Sequence, residues 1–224
     1  MYKRLIRIDP LIHLPEHYYL NKDDDCLFLG EYTSQGGHGH SETNKLIYNL
    51  KKYPYKKDTA EWRYKQQAIE KIACCFYNLL KGDILNCCTF IPVPPSKVKE
   101  DPAYDNRLLQ ILYKIQDHAG KLIDIRELVV QKNSTSPSHE QKNTPRKSPQ
   151  EHIKNYIINE ELINPKPNII FVFDDMLTTG SHFKAIQKMI HSRYAQDKIF
   201  IPIKGLFISR RSLKSDDSLL DSDN

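Results

Sequence analysis

The sequence predicts an α/β fold, a parallel sheet flanked by helices and preceded by a mostly helical N-terminal extension. Three observations predict it. Residues 169–173 are five consecutive apolar residues without polar alternation, so the strand they form is covered on both faces, as strands of parallel sheets are. After a short Thr/Gly turn comes a helical pattern with Ala185, Ile186, Met189 and Ile190, which makes a strand, loop and helix. A second such unit starts at CCTFIPVPPSK, where a β-compatible run stops at prolines and leads into DPAYDNRLLQILYKIQDHAG. The resulting plan is an α+β extension over residues 1–85, an α/β domain over 86–210 and an acidic tail over 211–224.

In chain order, YYL and CLFLGEYT read as short strands around the polar NKDDD, a small hairpin closed by Gly36, Gly37 and Gly39. Ser41 opens a helix through SETNKLIYNLKK, with Leu46, Ile47 and Leu50 at helical spacing and Pro54 as the stop. Asp58 and Glu61 stand at capping-box spacing ahead of Trp62, Ile69, Ile72, Ala73, Phe76, Leu79 and Leu80, with Gly82 beyond the end. Cys74 and Cys75 lie inside that helix and read as small hydrophobes. The next helix takes Asp101 as N-cap, Pro102 in its first turn and Gly120 at its end. A strand is expected near 128–130. Residues 131–150 lack every aliphatic, Phe, Tyr and Trp residue and read as a long mobile loop. That loop carries Lys132, Lys142, Arg146 and Lys147 against the single acid Glu140, a balance suited to closing over phosphate. EHIKNYIINEEL reads as helical or irregular, KIFIPIKGLFI over 198–208 as one or two strands, and the acidic tail as disordered.

The 224 residues hold 33 Lys and Arg against 28 Asp and Glu, a net charge of +5 that favours anionic ligands. No apolar run approaches the roughly 20 residues that cross a bilayer. MYKRLIRIDPLIHLPEHYY fits no secretory signal, so a cytoplasmic protein without a membrane partner is expected. The five cysteines, two pairs of them vicinal, make a poor disulfide framework, and only His38 and His40 in GGHGH approach metal-ligand spacing. The chain lacks GxxxxGK[ST], GxGxxG and GxSxG, which argues against a Walker nucleotidase, a dinucleotide oxidoreductase and a serine hydrolase.

The chemistry concentrates in FVFDDMLTTGSHF. Asp174 and Asp175 end the apolar strand, where parallel sheets place their ligands. Leu177, Thr178, Thr179, Gly180 and Ser181 then carry backbone N–H groups into a helix N-terminus, a place that binds anions. Gly180 lacks the Cβ that would obstruct close approach, and three hydroxyls add donors. Two carboxylates beside such a turn repel a bare phosphate but suit a sugar phosphate, accepting from ribose hydroxyls or holding hydrated Mg²⁺. Elsewhere, KLIYNLKKYPYKK interleaves five lysines with Tyr48, Tyr53 and Tyr55, a pattern that can follow phosphates and stack on bases.

An apolar strand followed by DDxxTTGS resembles the phosphoribosyl-pyrophosphate motif of the type I phosphoribosyltransferases. FIPVPPSK is similar to the first core strand and pyrophosphate loop of the competence-protein-F-like branch, where a helix bearing arginine and asparagine follows; here Asn106 and Arg107 follow. The resemblance covers roughly residues 86–209. It implies a phosphoribosyltransferase fold and transfer of phosphoribose to a nitrogen acceptor with release of pyrophosphate. Asp174 and Asp175 would then meet the ribose hydroxyls and Mg²⁺, the latter through water, while residues 177–181 hold the 5-phosphate. Pro95, Ser96 and Lys97 would hold pyrophosphate, and Asp175 and Arg146 would serve catalysis. Pro94 and Pro95 lack N–H groups, a departure from glycine-containing relatives, and Thr178 stands where 6-oxopurine enzymes carry an Asp. The first 85 residues would act as a hood, with Tyr32, His38, His40 or Asn44 facing a ligand. The implied partners are phosphoribosyl pyrophosphate and the acceptor, with a homodimer and nucleic acid as open options. A non-catalytic sensor of the same ligand and a nucleic-acid factor in DNA uptake or defence are the rival functions.

Overall fold

The computed structural model describes residues 2–80, 82–135 and 146–213. In chain order the elements are β1 (Ile6–Arg7), β2 (Cys26–Thr33), α1 (Glu42–Leu50), α2 (Trp62–Leu79), α3 (Ile84–Cys87), β3 (Cys88–Pro92), α4 (Arg107–Ala119), β4 (Asp124–Ile125), β5 (Val129–Gln131), α5 (Pro149–Asn155), β6 (Tyr156–Ile158), β7 (Ile169–Leu177), α6 (Ser181–Gln196) and β8 (Ile203–Ser212). A six-stranded sheet runs β1-β2-β8-β7-β3-β4, parallel except for β1, and β5 and β6 form a separate antiparallel ribbon.

Strand β3, the first five residues of β7 and the Gly205–Ile208 run of β8 are mainly apolar because both of their faces are covered. The chain leaves β3 toward β4 at one edge and leaves β7 toward β8 on the other side. Right-handed crossovers in opposite directions put α4 and α6 on opposite faces of the sheet. Helices α1, α2 and α4 pack together, and Phe76 of α2 meets Phe173 of β7 edge-on at 5.3 Å. On the other face α6 packs with α5, and Phe183 reaches Phe207 of β8. No helix among the described residues is long and apolar enough to cross a membrane.

Several elements differ from the sequence expectation for local reasons. The expected N-terminal hairpin is not formed: Tyr18 and Tyr19 lie in a turn, and Ile6 and Arg7 supply the antiparallel partner of β2. Helix α1 begins as expected, with Ser41 Oγ accepting from the Asn44 N–H at 3.0 Å. Helix α2 starts at Trp62 without a side-chain cap, because Glu61 is taken by Lys52 and Lys56 at 3.2 and 2.8 Å. Asp101 caps no helix; it accepts from the Ala103 N–H and the Ser134 hydroxyl in a turn, and α4 starts after Asn106. Gly120 ends α4 as expected, in a left-handed conformation.

Of the loop expected over 131–150, Gln131 belongs to β5 and Pro149 opens α5 behind a Ser148–Glu151 capping box; residues 136–145 lie outside the described residues. Segment 198–208 yields one strand, and β8 runs on through Arg211 and Ser212, which composition alone assigns to the tail. Residues 214–224 of that tail lie outside the described residues. The boundary expected at residue 85 falls within one sheet: β2 pairs with β8 from Cys26↔Gly205 to Thr33↔Ser212.

Candidate functional site

The sheet order reverses between β3 and β7, and such a switch point opens a crevice at the carboxyl ends of the strands. A cavity of about 840 Å³ lies there. Its wall includes Pro95, Ser96 and Lys97 from the segment after β3, and Asp174, Asp175, Thr178 and Ser181 from the end of β7 and the turn beyond it. Arg146 and Arg107 are on the same wall. Two stretches far apart in the chain and assigned to opposite ends of one ligand therefore meet in one cavity.

Strand β7 extends through Leu177, longer than its apolar run, because Asp174, Met176 and Leu177 still pair with Phe207, Ser209 and Arg210. Side chains alternate along a strand, so Asp175 shares the face of Phe173 and Asp174 the opposite one. The Phe173 face is covered by α1, α2 and α4, which decides the partners of Asp175. Arg107 at the start of α4 gives Nε and Nη2 to Asp175 Oδ2 at 2.9 and 2.6 Å, and Lys51 after α1 approaches Oδ1 at 3.1 Å. Arg107 Nη1 also reaches Asp105 at 2.8 Å, and the fully buried Lys65 reaches Asp105 at 2.7 Å. The five charges Lys51, Asp175, Arg107, Asp105 and Lys65 form a continuous chain in which each buried charge has an opposite neighbour, the condition for keeping it there.

This pairing separates two acids that the sequence treats alike. Burial alone would raise Asp175, but the Lys51 and Arg107 cations outweigh it and hold the carboxyl far below the usual range. Asp174 is pushed up to about 7 by burial and by the Asp175 charge. Asp174 Oδ1 accepts from the Asp175 N–H at 2.7 Å. Hydrated Mg²⁺ fits this donor set through Asp174; Asp175 is already held by two cations, with Arg107 on Oδ2 and Lys51 on Oδ1, and keeps one acceptor direction on Oδ1 for a hydroxyl. Because of those two cations Asp175, expected to serve catalysis, is a weak base.

The turn after β7 also departs from the expectation. Thr178 and Ser181 line the cavity, whereas Leu177, Thr179 and Gly180 are buried and absent from its wall. Gly180 has φ +86, and a Cβ there would meet Leu20 Cδ2 at 2.7 Å. Its missing side chain thus accommodates the N-terminal segment as well as the backbone turn. The Tyr19 N–H donates to the Thr179 carbonyl at 3.0 Å. His17 Nδ1–H donates to the Thr178 carbonyl. A carbonyl can only accept, which puts the His17 proton on Nδ1 and leaves the buried Nε2 without a partner among the described residues. Residues 17–20 are a strap that fixes the turn from behind.

On the α5 and α6 side stands a group that no spacing pattern indicates. His152 Nε2 and Ser181 Oγ are hydrogen bonded at 3.2 Å, Tyr156 Oη and His182 Nδ1 at 2.6 Å, and the two imidazole rings lie 3.8 Å apart. Burial, with Lys147 second, lowers His152 to about 4, and burial, with His152 second, lowers His182 to about 3, so both rings are neutral at pH 7. His152 and His182 line the cavity and add hydrogen-bonding capacity without charge.

The hood residues fall elsewhere. Asn44 ties its own turn, accepting from Thr33 N–H and donating to the Thr33 and Gly37 carbonyls. His38 packs edge-on against Tyr48 at 4.9 Å. Tyr32, His38, His40 and Asn44 are all off the cavity wall, and the N-terminal region instead contributes Lys51, Tyr53, Pro54 and Tyr55. The lysine and tyrosine pattern in the sequence includes these residues, but their place at the cavity depends on how α1 packs. No family model and no curated protein matches the chain.

Proposed function

We propose that this chain binds phosphoribosyl pyrophosphate in the crevice between β3 and β7 and transfers the phosphoribosyl group to a nitrogen acceptor. The observation that carries the reading is the meeting of the DDMLTTGS end of β7 with the Pro95–Ser96–Lys97 segment in one cavity at the sheet's switch point. In this reading Asp174 accepts from a ribose hydroxyl, and Thr178 and Ser181 donate to the 5-phosphate. Lys97 and Arg146 face the pyrophosphate, and Arg107 and Lys51 supply positive charge near the ribose. Bound Mg²⁺, held by Asp174 through water, would neutralise the departing pyrophosphate. The acceptor's lone pair forms the new bond to C1 as the bond from C1 to the pyrophosphate oxygen breaks. Its electron pair leaves on pyrophosphate, and the acceptor's proton passes to solvent. Fixed charges and positioning provide most of the acceleration in such a step.

A binding-only sensor is the second reading, favoured by one observation: both Asp175 oxygens are already paired within the protein. Calorimetric titration with phosphoribosyl pyrophosphate and Mg²⁺ tests the site, with Asp174→Asn as the comparison because it leaves the buried ion pairs intact. Binding that Asp174→Asn weakens about tenfold or more, the value of a hydrogen bond to a charged group, supports it. Absence of binding by the intact protein refutes it. Pyrophosphate release in the presence of candidate bases then separates enzyme from sensor.

A further inference from the structure

The mouth of the cavity carries a feature that sugar-phosphate binding does not use. Tyr53 and Tyr55, both on the wall, stack with ring centroids 5.4 Å apart and planes 14° from parallel. Tyr55 is 74% exposed, so it presents an aromatic surface to solvent at the entrance. Outside the cavity the surface continues in the same chemistry. Tyr48 on α1 is 57% exposed and Tyr64 on α2 is 39% exposed. Lys52 Nζ sits 5.1 Å from the Tyr48 centroid and 5.9 Å from that of Tyr64. Arg63 lies 4.9 Å from the Tyr64 ring. Residues 45–64 hold six Lys and Arg against Asp58 and Glu61. Glu61 is engaged by Lys52 and Lys56, while Lys45 and Lys57 are exposed to solvent.

Exposed aromatic rings are costly to leave in water, and here they alternate with cations instead of forming an apolar patch. That combination matches one ligand chemistry. Phosphates follow the cations, and unpaired bases stack on ring faces. A duplex hides its base faces and would leave the tyrosines unused. We propose that this strip binds single-stranded nucleic acid and directs a base over Tyr55 into the cavity. The strip stands by itself; only the statement that the base lies beside the bound phosphoribosyl pyrophosphate rests on the phosphoribosyl-transfer reading.

The test is fluorescence anisotropy of a short labelled oligothymidylate and of its duplex with oligoadenylate, over a range of salt. Variants Tyr48→Ala, Tyr64→Ala and Lys45→Gln/Lys57→Gln lie off the cavity wall and on the surface, and their thermal transitions check that they fold. The single strand is expected to bind more tightly than the duplex. Each tyrosine change should weaken it roughly tenfold, the size of one base–aromatic stack. The double lysine change should reduce the slope of log affinity against log salt by about 1.4, or about 0.7 for each phosphate that is no longer neutralised. Equal binding of duplex and single strand, retention of affinity by both tyrosine variants, or no binding at low salt overturns the proposal. Phosphoribosyl pyrophosphate titrated into the same proteins keeps the two readings apart. Oligonucleotide binding without phosphoribosyl pyrophosphate binding removes the neighbouring sugar-phosphate site and leaves the strip standing. Pyrophosphate-ligand binding without oligonucleotide binding refutes the strip alone.

Discussion

Asp174 and Asp175 are chemically identical neighbours, yet one is held ionised by Lys51 and Arg107 while burial and the adjacent charge push the other up to about 7. An ionised carboxylate accepts a hydroxyl proton, and holds hydrated Mg²⁺, far more strongly than the neutral acid does. Ligand affinity should therefore rise by up to about tenfold per pH unit below that midpoint and level off above it. Calorimetry across the midpoint checks this; Asp174→Asn should bind weakly at every pH with no inflection, and an inflection that persists in the variant assigns the titration to another group. The adjacent acids were visible in the sequence because an apolar run ending in two carboxylates is a local pattern. Their different states were not, because Lys51, Arg107 and Asp175 come from three distant parts of the chain. The His152 and His182 pair was hidden for the same reason: α5 and α6 bring the rings together, and neither residue has a partner at a recognisable spacing.

The elements were legible where one residue decides an end. Ser41 bounds α1 through its hydroxyl and Gly120 ends α4 through its left-handed backbone, whereas Asp58 and Asp101 resemble caps but are not used as such. Gly180 shows the same limit at the turn between β7 and α6. The sequence marks it as a glycine needed at a phosphate turn, but the structure gives it φ +86 with Leu20 where a Cβ would stand. Gly180→Ala should accordingly cost about 2–3 kcal/mol, combining left-handed backbone strain with the collision. Leu20→Ala opens the space while leaving the strain, so the double variant should be more stable than the sum of the single losses by at least about 1 kcal/mol. Urea unfolding of the four proteins measures the coupling. Strict additivity would mean that Leu20 does not fill that position, and the strap formed by residues 17–20 would lose its claim to support the turn.

At the scale of the whole molecule, composition changes near residue 85 but the core does not. Cys26, Phe28 and Leu29 of β2 are buried against β8, and Arg210 of β8 pairs with Glu16 and Glu31 at 2.7 Å each. The apolar run in β8 announces a strand, yet nothing periodic announces that its outer neighbour comes from the opposite end of the chain. That pairing depends on long-range topology, which local pattern does not encode. A fragment comprising residues 86–213 would expose an edge of β8 and lose Lys51 from Asp175, leaving a buried carboxylate short of one of its cations. Each fully buried large side chain removed forfeits about 1.5–3 kcal/mol, and losing Phe28 and Leu29 together with α1 and α2 exceeds the roughly 5–15 kcal/mol that holds a domain of this size folded. The fragment should show no cooperative urea transition and no near-ultraviolet circular dichroism, while the full chain shows both. A cooperative fragment that retains phosphoribosyl pyrophosphate binding would instead make the N-terminal strands a dispensable addition, and with them the Lys51 contribution to the site.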